Sequence, residues 1–115
     1  MAVNRRRGEV GAIIDGRERV LCLTLGALAE LEDAFAAEDV SALLRRFGAG
    51  RLGARDLTRI LGAGLRGAGE TVTDADVSAM RIDGGAAGAA TVAAELLAAA
   101  FGESAGAGGD AASNP

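Results

Sequence analysis

Two glycine-spaced stretches come nearest to a pattern that does chemistry. Gly48 to Gly53 (GAGRLG) and Gly62 to Gly67 (GAGLRG) both fit G-x-G-x-x-G. That spacing cradles a pyrophosphate when a strand precedes the glycines and a helix N-terminus follows them. Here each match follows a helical pattern instead. The first falls on a helix–helix turn and the second on a helix C-terminus, where the dipole opposes an anion. A chain with 18 Gly produces such matches by chance, and helix-stop glycines are the simpler reading.

The remaining reactive residue types are no better placed. Cys22 is the single cysteine and the chain has no His. A thiol with no imidazole to act as base, set in the most apolar strand, reads as a small core residue. Ser41 has the early-helix position of a carrier protein's prosthetic-group serine. Arg45 and Arg46 follow it, however, where such carriers place acidic residues. Carboxylates recur at Glu32-Asp33, Glu38-Asp39 and Asp74-Asp76. Neighbours on a helix diverge, and Asp74 and Asp76 read as cap and first-turn charges. Without a Cys/His cluster, a zinc-type site is not expected. The expectation is therefore a non-enzyme: no catalytic residue, no cofactor-binding residue, no metal ligand and no small-molecule substrate. Its function would lie in surfaces, and the sequence does not say which residues bind a partner.

Composition narrows those surfaces. Formal net charge is −4, and all 12 basic residues are Arg. That balance disfavours nucleic acid and anionic lipid, and the basic start NRRRGE reads as a solubilising arm. Hydrophobic residues make up 50% of the 115, yet aromatics only 3%. Much of the apolar share is Ala, so the core is thin for its nominal hydrophobicity. The single cysteine and the lack of an apolar run behind the basic start fit a reducing, cytoplasmic setting. The stretch from Gly84 to Phe101 imitates a membrane span in length, but its Ala, Gly and Glu95 read as a buried helix.

The elements that would position these residues follow from periodicity. GEVGAIIDGRERVLCLTL reads as a β-hairpin about Asp15-Gly16. The adjacent Ile13-Ile14 and Val20 to Leu23 leave its register and loop length open. Thr24 caps a first helix over 25–37, with Leu28, Leu31 and Phe35 at helical spacing. A second helix over 39–47 carries Val40, Leu43, Leu44 and Phe47 and stops at Gly48. A third over 54–66 carries Leu57, Ile60, Leu61 and Leu65, with Gly67 as its stop. Thr73 opens a fourth over 74–80, with Asp76 at the capping-box position and Val77 and Met80 facing inward. A fifth over 86–101 presents Val92, Leu96 and Leu97. The pair Gly84-x-x-x-Gly88 would let another helix come close. The fold class is thus α+β: an N-terminal hairpin followed by four or five short helices in a mostly helical single domain. Residues 1–7 read as a flexible arm, 8–102 as the domain, and 103–115 as a disordered tail.

Read together, RRRGEVGAIIDGRERVLCLTLGALAELEDAF, RFGAGRLGARDLTRILGAGLRGAG and VTDADVSAMRIDGGAAGAATVAAELLAAAFG resemble small tail-gene proteins of alphaproteobacterial gene transfer agents and related tailed phages. The resemblance runs from Arg5 to Gly102. LTLGALAELE and ARDLTRILGAGLRGAG are its specific blocks. Gly53 departs from it, standing where a Ser cap would precede ARDL. The family carries two labels, tail assembly chaperone and tail tube protein. The resemblance implies work in building a non-contractile tail. A tube subunit needs several long alternating strands, and this sequence offers one hairpin. The expectation is therefore a chaperone that covers apolar segments of tape-measure or tube proteins during assembly. The alternative is a structural tube component retained in the particle. The partners implied are tail proteins, with homo-oligomerisation open and the localisation cytoplasmic or virion-associated. The stripe Leu25, Leu28, Leu31, Phe35 would fill the core and leave one face, between the first and last helices, for a partner.

Overall fold

The computed structural model describes residues 3–4, 8–35, 42, 45 and 53–100. Strand β1 (Glu9–Ile14) pairs antiparallel with β2 (Arg17–Cys22). The link is the two-residue turn Asp15-Gly16, with φ of 53° and 80°. Positive φ at both positions is the type I′ geometry, which matches strand twist and which glycine adopts without strain. The turn settles the register that the adjacent apolar residues left open. Ile14 pairs with Arg17, and Val10 with Leu21. Val10, Ala12 and Ile14 therefore face the core, while Ile13 is 38% exposed on the opposite face.

Helix α1 (Leu25–Ala34) starts at Thr24, whose hydroxyl accepts from the Ala27 N–H at 3.1 Å. Helix α2 (Ala54–Gly67) starts at Gly53. Glycine brings no capping side chain, but Asp56 Oδ2 accepts from the Gly53 N–H at 2.9 Å. Helix α3 (Asp74–Ser78) is opened by a complete capping box. Asp76 N–H donates to the Thr73 hydroxyl at 3.0 Å, and Thr73 N–H donates to Asp76 at 2.9 Å. The shorter Asp closes the box as Glu would. Helix α4 is Gly85–Ala100. The expected hairpin followed by helices is what the structure contains. Apart from Ala42 and Arg45, which are helical, the helix expected over 39–47, together with Ser41, Glu38-Asp39, residues 36–37, the GAGRLG stretch before Gly53, Arg5 to Arg7 and Phe101, lies outside the described residues.

The core is one apolar cluster in which α2 is central. It packs against β2, α1, α4 and α3, and α4 also covers β1. Leu21, Leu31, Ile60, Leu65 and Leu96 are all but fully buried. The close approach is made through glycine. A Cβ at Gly64 would stand 3.0 Å from Leu96 Cδ1 and 3.1 Å from Leu21 Cβ. One at Gly67 would collide with the Cys22 carbonyl oxygen. Of the second G-x-G-x-x-G stretch, only Gly67 stands at the helix end as expected. Gly62 and Gly64 lie inside α2, and Gly67 is its last residue.

Two further sequence readings are corrected. Cys22 is half-buried on the face away from the core, because the register that buries Leu21 turns its neighbour outward. The Gly84-x-x-x-Gly88 pair serves a local turn. Gly84 and Gly85 have φ of 85° and 61°, and a Cβ at Gly88 would meet the Asp83 carbonyl oxygen.

Gly67→Ala is expected to cost about 2 kcal/mol despite alanine's higher helix propensity, because the obstacle is backbone. Thr73→Ala is expected to cost about 1 kcal/mol through the lost cap. Urea denaturation of both variants checks the order.

Candidate protein-interaction surface

Of the α1 stripe, Leu31 lies in the core at 1% exposure, Leu28 and Phe35 are half-buried, and Leu25 is 85% exposed. The stripe therefore rises out of the core toward the start of the helix. Its lower end is held by α2. Arg59 donates to the Ala34 carbonyl at 3.0 Å, and its guanidinium lies 5.6 Å from the Phe35 ring centroid. The last turn of α1 has no basic residue of its own, so Arg59 supplies the positive charge that a helix C-terminus favours.

A second cation ties three elements together. Arg66 on α2 donates through Nε and Nη2 to Glu30 on α1, and through Nη2 to Asp74 at the start of α3, at 3.1 Å. Its Nη1 donates to the Val72 carbonyl at 2.9 Å. The bonds to Glu30, and then those to Asp74, raise the guanidinium above its ordinary range against the opposing pull of burial. Asp74 and Asp76 are thus structural, as their positions in the sequence suggested. Gly62 leaves the room for this junction, since a Cβ there would meet Asp74 Oδ1.

Between α2, α3 and α4 lies an apolar groove of about 490 Å³. Its wall is Leu57 and Leu61 from α2, Val77 from α3, Ala86 and Ala89 from α4, with Ile14, Met80 and Ile82 along the floor and rim. Thr58, Ser78 and Arg81 are its polar members. Helix α3 is held at its start by its capping box, and the segment between α3 and α4 is tied to the hairpin turn. Asp15 N–H donates to the Arg81 carbonyl at 2.7 Å, and Arg81 N–H to the Asp15 carboxylate at 3.0 Å. The groove has apolar walls and no facing pair of acid and base, so it suits the apolar face of a polypeptide better than a reacting substrate. It does not lie where the sequence placed a partner face, between the first and last helices. The sequence signal that could have located it is the alternation of small Ala86 and Ala89 against the large Leu57 and Leu61.

Among the described residues, no three His, Cys, Asp or Glu gather where they could hold a metal ion. Nor is any helix among them long and apolar enough to cross a membrane.

Residues 7–103 match the family described as phage tail tube protein, GTA-gp10. The chain belongs to that family. No curated protein and no solved structure matches it. The resemblance to gene transfer agent and phage tail proteins read from the sequence is thereby shown, over nearly the span expected. The family description speaks for a tube-type tail protein, the alternative named above, rather than for the chaperone expected from the sequence. It is the description of a structural tail protein, which implies contact with other tail proteins.

Arg66→Met is expected to lower the tail protein's stability by about 1 kcal/mol, the usual scale for a part-exposed ionic junction, read by urea denaturation. Ala86 is exposed, so Ala86→Glu should leave the unfolding midpoint unchanged. It should reduce fluorescence of a hydrophobic dye bound in the groove.

Proposed function

We propose that this chain is a non-catalytic structural component of a phage-like tail tube, held to neighbouring tail proteins through its helical surface and retained in the particle. The family match over residues 7–103 carries this reading. The apolar groove between α2, α3 and α4 supports it by offering a docking face made of fixed helices. Tube subunits and the tape-measure protein are the neighbours such a role requires.

One observation favours a second reading, that of an assembly chaperone covering apolar segments of those proteins and then leaving. The described residues hold a single two-stranded sheet, whereas a tube wall is lined by broad sheets. The groove would serve a chaperone equally well, as a helix-in-groove site.

Mass spectrometry of purified particles separates the two. A tube component is expected in the particle at a stoichiometry comparable to the other tail proteins. Absence from particles whose assembly requires the gene would reject the structural reading in favour of the chaperone. In either role, Ala86→Glu should weaken capture of tail proteins from assembling cells by about tenfold, the effect of one buried charge in an apolar contact.

A further inference from the structure

The geometry points to a second interaction surface, separate from the groove: the outer edge of β2, open at Glu18 and Val20, accepts an extended segment of a partner protein as a third strand. The segment it fits is acidic on one face and apolar or basic on the other.

The edge follows from the register. A two-residue turn makes Ile14 and Arg17 a hydrogen-bonded pair, and the alternation continues through Ala12–Arg19 and Val10–Leu21. Glu18 and Val20 therefore direct their N–H and C=O groups away from β1. The corresponding edge of β1 is closed at both ends. The Ile13 carbonyl accepts from Asp83 N–H at 3.0 Å, and Glu9 N–H donates to the Asn4 carbonyl at 3.1 Å. Nothing among the described residues closes β2 in this way at Glu18 or Val20. A cleft of about 440 Å³ lies there instead, between Arg17–Val20 and the turn Ala68–Glu70 that follows α2. Gly69, with φ of 103° and open space where a Cβ would stand, keeps its far wall low.

Charge selects the occupant. Arg17 and Arg19 project on one face of β2 and Glu18 on the other. Arg19 pairs with Glu70 at 3.1 Å, but its Nε is buried with no acceptor. Arg17, Arg19 and Glu70 together leave that face one positive charge in excess. A carboxylate entering the cleft would balance it, and would draw the guanidinium toward an acceptor for Nε. A second copy of β2 fits poorly. Antiparallel self-pairing through Glu18 and Val20 sets Arg19 against Arg19 of the other copy. The charge pattern thus admits a foreign strand and discourages edge-to-edge association. This inference holds whether the chain stays in the tail or leaves it.

The test uses the full chain, labelled with ¹⁵N, and a capped heptapeptide probe with Glu at alternate positions and Val or Lys between. In the free chain, the amides of Glu18 and Val20 should exchange rapidly, while those of Arg17, Arg19 and Leu21 are protected. The probe should protect Glu18 and Val20. Replacing its Glu by Lys should weaken binding by about tenfold. N-methylation of one alternating set of probe amides should abolish binding and of the other set should not, a result that requires no variant of the protein. The proposal is overturned if the probe leaves both amides exchanging, if both N-methylated probes bind alike, or if Glu18 and Val20 are already protected in the free chain. In the last case, sedimentation velocity tells a self-paired dimer from an edge covered within one chain.

Discussion

The structure depends on how closely the backbone of α2 can lie against the hairpin. Gly64 sits against Leu21 and Leu96, and Gly67 against the Cys22 carbonyl. Neither position tolerates a methyl group without movement of what it touches. Every other described helix makes its main contacts with α2, and β2 packs on it as well as pairing with β1. A chain poor in aromatics and rich in Ala cannot fill wide gaps between its elements. It reaches interior packing density by removing side chains at the contact and bringing backbones together. The glycines that weaken α2 as an isolated helix are what allow it to be the centre of the core.

Two arginines of the same helix then fix what glycine brings near. Arg59 serves the C-terminus of α1, and Arg66 joins Glu30, Val72 and Asp74. Arg59 adds a contact with the Phe35 ring to its one hydrogen bond, and Arg66 makes several hydrogen bonds at once, which a planar guanidinium does with less loss of freedom than an ammonium. The orientation of α1 and α3 against α2 is therefore set by directional contacts as well as by apolar burial. The groove between α2, α3 and α4 owes its shape to the same arrangement. Its lining residue Arg81 is tied to the hairpin turn through Asp15, and α4 begins at the Gly84-Gly85 turn beside it.

For a tail protein the consequence is a division of surface. One face offers apolar side chains in a groove, and another offers backbone hydrogen-bonding groups at a strand edge beside alternating charges. The first is tolerant of its partner's sequence, since burial is non-directional. The second is selective, since register and charge phase must both agree. A protein working among several tail components has use for both kinds of contact.

The sequence by itself determined the local structure. Asp15-Gly16 specified the turn, Thr24 and Thr73 the helix starts, and the spacing of Leu57, Ile60, Leu61 and Leu65 the buried face of α2. Each of these is an interaction within a few residues. The sequence also carried the resemblance to the family to which the chain belongs. Only the tertiary structure decided what α2's glycines are for, that Cys22 faces away from the core, and that Gly84 and Gly85 turn the chain into α4. It alone showed that Leu25 stands exposed while Leu31 is buried, and that the apolar groove lies beside α3. These depend on which residues far apart in the chain come into contact. Periodicity shows that a helix has an apolar face, but does not say which neighbour covers it or where that neighbour stops.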